Sequence, residues 1–240
     1  MPLTQCSCCG SHELEHTPIL WPELIESWGL EPHEAEYIDR QQGYHCMVCG
    51  SNLRSMALAD AVMMFFGFAG VFADFVKVWN QLRVLELNEA GQLNQFLRKM
   101  PRHVLASFPD VDMQDLPYED VSFDLVVHSD TLEHVPDPVR GLAECRRVMA
   151  SGGATCFTVP IVVGRLTRSR ACLPPMHHGS EDSPIHLVQT EYGSDMWEQI
   201  FMAGFDECRI GCTEFPAGLA ITASESGNHP KPGSLLGIES

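Results

Sequence analysis

Short apolar segments alternate with longer polar or amphipathic segments through most of the chain. The best defined, 123–127, reads Phe-Asp-Leu-Val-Val and is typical of a strand buried on both faces. After it, Asp137-Pro138 predicts the start of a helix that runs to about Met149, where Gly152-Gly153 are expected to end it. A second buried strand is predicted over 154–159. Strand, helix and strand in this order predict a parallel α/β sheet, and polar residues after its strands should line a ligand site.

Further elements are predicted on both sides of this unit. Strands are predicted at 83–87, 103–108, 208–212 and 219–223, and a helix closed by Gly204 at 191–205. From Ser224 onward the chain is polar and rich in Pro and Gly, which is typical of a disordered tail.

The segment 55–79 is rich in Met and Phe. Its uninterrupted apolar part, 61–73, is too short to span a bilayer, which needs ~20 residues. We interpret the segment as one or two packed helices with a break near Gly67 or Gly70. A membrane-surface face or a homodimer face is the alternative.

Two Cys-x-x-Cys-Gly knuckles lie in the N-terminal part of the chain. Two residues between thiolates allow both sulfurs to point at one tetrahedral ion, and the glycine permits the tight turn. Paired knuckles predict a zinc ribbon with a structural ion, since four thiolates leave no open coordination position. Four buried cysteines without metal are the alternative, and Cys8 is a spare. The predicted ligands are Cys6, Cys9, Cys46 and Cys49.

The net charge and the number of cysteines limit the classes of function that this protein can have. The formal net charge of −17 disfavours broad binding to phosphate backbones. The first residues lack a basic-then-apolar leader, so ten cysteines indicate metal binding and free thiols in a reducing cytoplasm. Residues 10–45 are strongly acidic, and Trp21, Leu24, Ile25 and Trp28 predict a short amphipathic helix there. We favour a solvated face for this insert over a docking surface for a basic partner.

A family resemblance appears in the central segment. Leu116-Pro117-Tyr118, Phe123-Asp124, Leu132-Glu133-His134-Val135 and 147–153 occur in the order and spacing of one large subgroup of class I S-adenosylmethionine-dependent methyltransferases. The resemblance covers roughly 82–223. It implies a Rossmann-like doubly wound sheet, mostly parallel with an antiparallel edge, and S-adenosylmethionine as cofactor. The implied division is a zinc-ribbon module with an acidic insert at 1–54, connecting helices at 55–80, the methyltransferase-like domain at 81–223 and a tail at 224–240.

By this resemblance the first strand ends in the cofactor loop, whose family pattern is an acid followed by alternating glycines. The loop here reads Glu86-Leu87-Asn88-Glu89-Ala90-Gly91. Glu86 stands where the acid belongs, and Asn88 and Ala90 replace glycines. Asparagine tolerates positive φ better than most residues, so the turn is expected to persist.

The other cofactor contacts implied by the resemblance follow later strands. Ser107 or Asp110 would meet the ribose. The segment 111–117 resembles the family's third strand. In it, Asp112 would accept from the adenine amino group, with a loop cap as the alternative, and the Met113 N–H would meet the ring. His128, through its backbone, and Ser129 complete the predicted set.

No catalytic base stands out. Asp130, His134 and Tyr192 are candidates, and a structural role is the alternative for His134. The connection 161–178 holds the basic cluster Arg165, Arg168 and Arg170, which together with His178 suggests an anionic small-molecule or carrier-bound acceptor. Pairing with surface acids is the alternative for these arginines.

The sequence therefore predicts a cytoplasmic enzyme that transfers a methyl group to an unidentified acceptor. The alternative is a catalytically degenerate methyltransferase fold that binds a protein partner through its zinc module, and Asn88 and Ala90 motivate it.

Overall fold

The structure is a computed structural model that describes residues 3–177 and 186–227. Its strands are β1 (Leu14–His16), β2 (Tyr44–Cys46), β3 (Val84–Leu87), β4 (His103–Ala106), β5 (Phe123–Ser129), β6 (Met149–Thr158), β7 (Ile161–Val162), β8 (Arg168–Ser169), β9 (Thr190–Gly193), β10 (Glu207–Thr213) and β11 (Gly218–Ser224). Its helices are α1 (Pro22–Ser27), α2 (Pro32–Gly43), α3 (Leu53–Phe65), α4 (Phe72–Val78), α5 (Asn94–Leu97), α6 (Pro138–Val148) and α7 (Trp197–Met202), with 3-10 turns at Gly91–Leu93 and Leu132–His134.

A six-stranded mixed sheet forms the centre of the molecule. Its order is β10-β11-β6-β5-β3-β4, in which β6, β5, β3 and β4 are parallel and β10 and β11 are antiparallel. This confirms the predicted α/β class, the Rossmann-like topology and the antiparallel edge. The carboxyl ends of β3, β4 and β5 therefore meet at one edge, where the predicted cofactor residues lie.

Both faces of the sheet are covered, which explains the continuous apolar runs of its strands. Leu125 and Val127 of β5 pack in one core with helices α3, α4 and α5. Val126 points to the opposite core, which includes Leu142 of α6 and Ile200 of α7. Cys6 and Cys46 belong to the first core, so the cysteine-rich module packs directly on the helices beside the sheet.

The N-terminal module contains an antiparallel pair of strands, β1 and β2, and two similar turns, one at each Cys-x-x-Cys-Gly knuckle. Gly10 N donates to Cys6 O and Gly50 N donates to Cys46 O, both at 2.8 Å. The two glycines have φ of 83° and 72°, which a side chain would strain. Helices α1 and α2 lie between β1 and β2 in the chain. Helix α1 forms at the site of the predicted amphipathic helix, and sequence analysis missed α2, although it carries a capping box between Glu31 and Glu34.

Three local predictions are wrong. Helix α6 ends at Val148, close to the predicted end near Met149, but Gly152-Gly153 do not stop it: Met149 already pairs with Phe123 in the sheet, and both glycines lie within β6, which begins before the predicted strand start at 154. Residues Thr190–Gly193 form a strand between β7 and β8, so the helix predicted from Glu191 covers only Trp197–Met202. Within the described part of the chain, no strand forms between β4 and β5, where the resemblance implied a third strand.

The structure also bears on the predicted helix break, the predicted tail and the absence of a membrane-spanning helix. Helices α3 and α4 are separated by 66–71, which contains the predicted break at Gly67 and Gly70. Residues 228–240 of the predicted tail and His178 lie outside the described residues. None of the helices in 3–177 and 186–227 combines the length and apolar composition that crossing a bilayer requires.

Candidate active site and metal centre

Glu86 closes the loop that follows β3. Its carboxylate is fully buried and accepts hydrogen bonds from Ala90 N at 2.7 Å and from Asn94 Nδ2 at 3.0 Å. Its Oε2 also lies 2.6 Å from His103 Nε2. A buried carboxylate is tolerated only when it is well hydrogen-bonded. The hydrogen bond from Ala90 N therefore holds the loop after β3 close to Glu86, near the end of that strand.

Asn88 takes the backbone role of a glycine in this loop. Asn88 and Gly91 both have φ of 54°, in the left-handed region that Asn and Gly adopt most readily. The Asn88 side chain donates to Thr131 Oγ1 at 3.3 Å and accepts from Phe108 N at 3.0 Å. The expected turn thus persists, and the asparagine ties together the loops that follow β3, β4 and β5.

Ser129 and Gly91 meet at the strand ends. A Cβ placed on Gly91 would lie 3.9 Å from Ser129 Oγ and 3.0 Å from Ser55 Oγ, so a larger residue would not fit without movement. Ser129 Oγ is hydrogen-bonded to Thr158 Oγ1 at 2.7 Å. The structure thus brings the loop after β3, the end of β5 and the start of α3 into one cluster.

The other predicted cofactor residues differ in how far they are exposed to solvent. Leu87 and Ala90 are buried, Ser107 is half-buried just after β4, and Asp112 is exposed. Asp112 Oδ1 accepts from Gln114 N at 2.8 Å, which is the loop cap considered as its alternative role. Met113 is buried against Gly141 of α6.

His128 is fully buried within β5. Its ring stacks on Phe157, with 4.7 Å between the ring centroids, and neither ring nitrogen has a hydrogen-bond partner among the described residues. Burial lowers the pKa of His128 to about 3, so the ring is neutral at physiological pH. Its side chain acts as a packing element, which leaves the backbone as its predicted contact.

Arg54 is a residue of this site that sequence analysis missed. It is the second residue of α3 and is 4% exposed. Its Nη1 forms an ion pair with Asp130 Oδ2, and its Nη2 donates to Gln41 Oε1 at 3.0 Å. The signal in the sequence was a cation at the start of a mostly apolar helix. When such a helix is buried, the charge needs a paired partner.

Three ionisable groups lie beside this ion pair. Burial raises the pKa of Glu133 to about 7, although Arg54 acts in the opposite direction. Burial also lowers the pKa of His134 and raises that of Tyr192 well above 10. His134 Nδ1 lies 3.0 Å from Leu187 O, so this nitrogen carries the proton in the neutral ring. Nε2 is then the basic nitrogen, 3.7 Å from Glu133 Oε1.

The predicted acceptor arginines are all paired with carboxylates. Arg165 binds Glu34 of α2, with Nε to Oε1 at 2.7 Å. Arg168 and Arg170 both pair with Glu191 of β9. These contacts join the loop after β6 to the acidic insert and to β9, as the alternative interpretation of the cluster expected.

The four predicted zinc ligands form a compact cluster. Their sulfur atoms all lie within 4.8 Å of one another, with 3.6 Å between Cys6 and Cys49 and between Cys9 and Cys46. Tetrahedral zinc with bonds of about 2.3 Å requires sulfur separations of about 3.8 Å. The donor set therefore fits zinc. Cys8 points away, with its Sγ 3.8 Å from Ser55 O, which agrees with its interpretation as a spare.

The second knuckle contacts the segment that follows the loop after β3. Gln95 Nε2 donates to Cys49 O at 2.8 Å, and Gln92 N donates to Ser55 Oγ at 3.3 Å. The cysteine cluster and the loop after β3 are thus connected through one layer of side chains.

A surface cavity of about 480 Å³ lies elsewhere, between α2 and the β10–β11 turn. Tyr37, Arg40, Glu214 and Phe215 line it, among others. Arg40 and Glu214 pair with each other there. Since none of the strand-end residues lines this cavity, we do not assign the cofactor to it.

Comparison with known proteins found a family match over the part of the chain that contains these strand ends. Residues 66–157 match the family described as "Methyltransferase domain". The match includes β3, β4, β5 and most of β6. The match covers 92 of the 240 residues, which is less than half of the chain.

Individual relatives match over shorter parts of their length. The chain is 37% identical over 83 residues to sarcosine/dimethylglycine N-methyltransferase of Halorhodospira halochloris, covering 33% of this chain and 30% of that protein. It is 30% identical over 109 residues to a probable S-adenosylmethionine-dependent methyltransferase of Mycolicibacterium smegmatis, covering 43% and 38%. The chain thus spans well under half the length of these relatives.

Among solved structures, a S-adenosylmethionine-dependent methyltransferase of Thermotoga maritima is similar, with a TM-score of 0.42 and 15% identity, covering 72% of this chain and 90% of that one.

Proposed function

We propose that this protein transfers a methyl group from S-adenosylmethionine to a nucleophilic acceptor. The observation that carries the proposal is the closed loop after β3. Glu86 accepts from Ala90 N, and Asn88 and Gly91 both adopt positive φ. A loop that keeps this conformation after losing most of its glycines still presents its backbone at the carboxyl ends of the strands, where ligands bind in such sheets.

The residues that would hold the cofactor are those around this loop. The backbone of Leu87–Gly91 and the side chain of Ser129 face the methionine side, and Ser107 and the Asp112-Met113 segment lie on the side of the nucleoside. When bound, the cofactor supplies an electrophilic methyl on a sulfonium. The protein contributes alignment of donor and acceptor, and a base where the acceptor carries a proton at working pH.

His134 suits the role of base better than the other two candidates. Tyr192 has a raised pKa, so it stays protonated and donates its hydroxyl to Gln199 Oε1 at 3.2 Å. Asp130 is engaged by Arg54. His134 is neutral at pH 7 because burial lowers its pKa, and its proton is on Nδ1. Nε2 is therefore able to accept a proton.

The acceptor is proposed to be a small or carrier-bound molecule with an anionic group. Arg165, Arg168 and Arg170 support this because they place three guanidinium groups on the segment that follows β7 and includes β8. An anionic acceptor would share or displace the carboxylates of Glu34 and Glu191 that these arginines bind.

We also propose that Cys6, Cys9, Cys46 and Cys49 bind one structural zinc ion. The sulfur separations support this, and a fully thiolate-ligated ion has no position left for a substrate. The contact between Cys49 O and Gln95 implies that the ion supports the segment after the cofactor loop.

Titration calorimetry with S-adenosylhomocysteine tests the main proposal. We expect one site per chain, and binding that fails to appear at millimolar concentration would refute it. Transfer of a labelled methyl group to a set of acceptors, each offered as the free acid and as its neutral methyl ester or amide, then tests the acceptor class. Turnover of the neutral forms only would contradict an anionic acceptor.

A further inference from the structure

Strand β4 forms one edge of the six-stranded sheet, with β3 on one side and, among the described residues, no strand on the other. Asn88 N donates to Ala106 O at 2.8 Å, which fixes the alternation of the parallel ladder. Ala106 and the residue two before it therefore point their backbone groups toward β3. The alternate residues His103, Leu105 and Ser107 point theirs outward. In the part of the chain that the structure describes, the N–H and C=O of Leu105 have no hydrogen-bond partner.

The side chains of this edge are apolar and partly exposed. Val104 is 37% exposed and Leu105 is 43% exposed. Since successive residues of a strand face opposite sides of the sheet, both faces end in an uncovered apolar side chain at this edge. Phe108, just after the strand, is also exposed. The stretch 103–108 contains no Asp, Glu, Lys or Arg, although charged side chains commonly protect such an edge from pairing.

The segment that follows β4 is bound to helix α6 rather than along this edge. Arg147 of α6 donates from Nη2 to Leu116 O at 2.9 Å and from Nη1 to Tyr118 O at 2.8 Å. Glu144 of α6 accepts from Leu116 N at 2.9 Å. The backbone groups of this segment are thus engaged by side chains of the helix. They leave the outer side of β4 open to a strand from another molecule.

Charges of opposite sign lie at the two ends of β4. Arg98, Lys99 and Arg102 precede the strand, Asp110 and Asp112 follow it, and all five are exposed. Within the described residues none of these five forms an ion pair, whereas most other Arg and Lys side chains do. An antiparallel strand from a second copy of this chain would bring the basic start of each strand beside the acidic end of the other. The same complementary contact would occur twice.

We propose that two copies of this protein associate through β4, in an antiparallel pair with the two-fold axis at Leu105. The outward groups fit this arrangement, because Leu105 N–H and C=O bond those of the second copy and Ser107 N–H meets His103 C=O on either side. The contact is closed, since the same surface serves both copies. A strand of four residues gives a small interface, so we expect a weak, reversible dimer. This association does not depend on the proposed methyl transfer.

Sedimentation velocity over a range of protein concentrations tests the proposal. We expect wild-type protein to shift reversibly from the mass of one chain to that of two, and no further. Leu105→Lys places two ammonium groups face to face at the axis, and we expect the dissociation constant to rise at least about tenfold. The bonds from β4 to β3 come from the alternate residues, so this substitution leaves them in place.

Ile210→Lys is the matched control. Ile210 lies in β10, the opposite edge strand of the same sheet, and its exposure of 46% is close to the 43% of Leu105. Glu207 and Arg209 of β10 form an ion pair, so that edge carries the charges that β4 lacks. The variant makes the same chemical change and should associate as wild-type protein does.

A mixture of two charge variants tests the antiparallel arrangement. Arg102→Glu alone and Asp110→Arg alone should each associate at least about tenfold more weakly, because like charges then meet at both ends of the pair. Mixed in equal amounts, the two variants should associate with near wild-type affinity, because each changed residue then faces an unlike charge on the other copy. Both positions are exposed and lie outside β4, so this mixture decides the question if Leu105→Lys does not fold.

Three results would overturn the proposed dimer. Wild-type protein that stays monomeric at ~1 mM would leave the edge to a different chain or to another segment of this one. Growth beyond two chains would contradict the closed two-fold contact. Equal weakening by Leu105→Lys and Ile210→Lys, or by neither, would place the contact on another surface. Association that recovers only in the mixture of charge variants supports the pairing of β4 with itself.

Discussion

Replacing Glu86 with glutamine tests whether a single carboxylate holds the cofactor loop in its binding conformation. Glu86 is fully buried and contacts Ala90 N, Asn94 Nδ2 and His103 Nε2. Glutamine has nearly the same shape but only one acceptor oxygen. If that oxygen keeps the bond from Ala90 N, the amide nitrogen takes the place of Oε2. It then opposes the Asn94 amide as a second donor, while the contact with His103 remains with Nε2 as the acceptor.

The expected loss follows from these contacts. One hydrogen bond to a charged acceptor disappears, which removes about 1.5–3 kcal/mol. The two remaining contacts change from charge-assisted to neutral, and each weakens by about 1 kcal/mol. Burying a neutral amide instead of a carboxylate offsets part of this loss. We therefore expect Glu86→Gln to lower the free energy of unfolding by about 2–4 kcal/mol.

Urea denaturation and calorimetry together provide the assay. With a denaturant slope near ~3 kcal/mol/M, the transition midpoint of Glu86→Gln should fall by about 1 M. The affinity for S-adenosylhomocysteine should fall at least about tenfold, because the loop must then be ordered during binding. Glu89→Gln makes the same chemical change at an exposed position of the same loop and is the control. Equal midpoints and equal affinities for the two variants would refute the reasoning.

Three further predictions concern the metal, the arginines and pH. Cys49→Ser should reduce bound zinc from about one per chain to near zero by elemental analysis, and full retention would contradict the four-thiolate site. Glu191→Gln should strengthen the binding of inorganic phosphate by releasing Arg168 and Arg170, and unchanged calorimetry would argue against anion recognition there. Burial raises the pKa of Glu133 from 4.5 to about 7, so the folded protein keeps a proton that the unfolded chain loses in this range. Stability should therefore fall by roughly 3 kcal/mol between these pH values. Glu133→Gln should remove that fall in urea denaturation, and an unchanged pH dependence would contradict the assignment.

Sequence patterns predicted most of the sheet because its strands are short apolar segments buried on both faces. The two knuckles were equally clear, since ligand spacing and a following glycine are local requirements. Prediction was wrong where pairing between distant segments competed with a local signal. Strand β6 begins at Met149 because Phe123 pairs with it, although Gly152-Gly153 suggested that the strand starts only at 154. Thr190–Gly193 forms a strand because β7 and β8 lie on either side of it.

The sequence by itself determined the class of fold, the cysteine cluster and the loop after β3, because periodicity, spacing and residue type act over a few positions. Only the tertiary structure decided which charges meet at the strand ends. Arg54 reaches Asp130, and Arg165 reaches Glu34, across long stretches of chain. Whether a buried charge is paired depends on which elements pack together, and no local pattern encodes that.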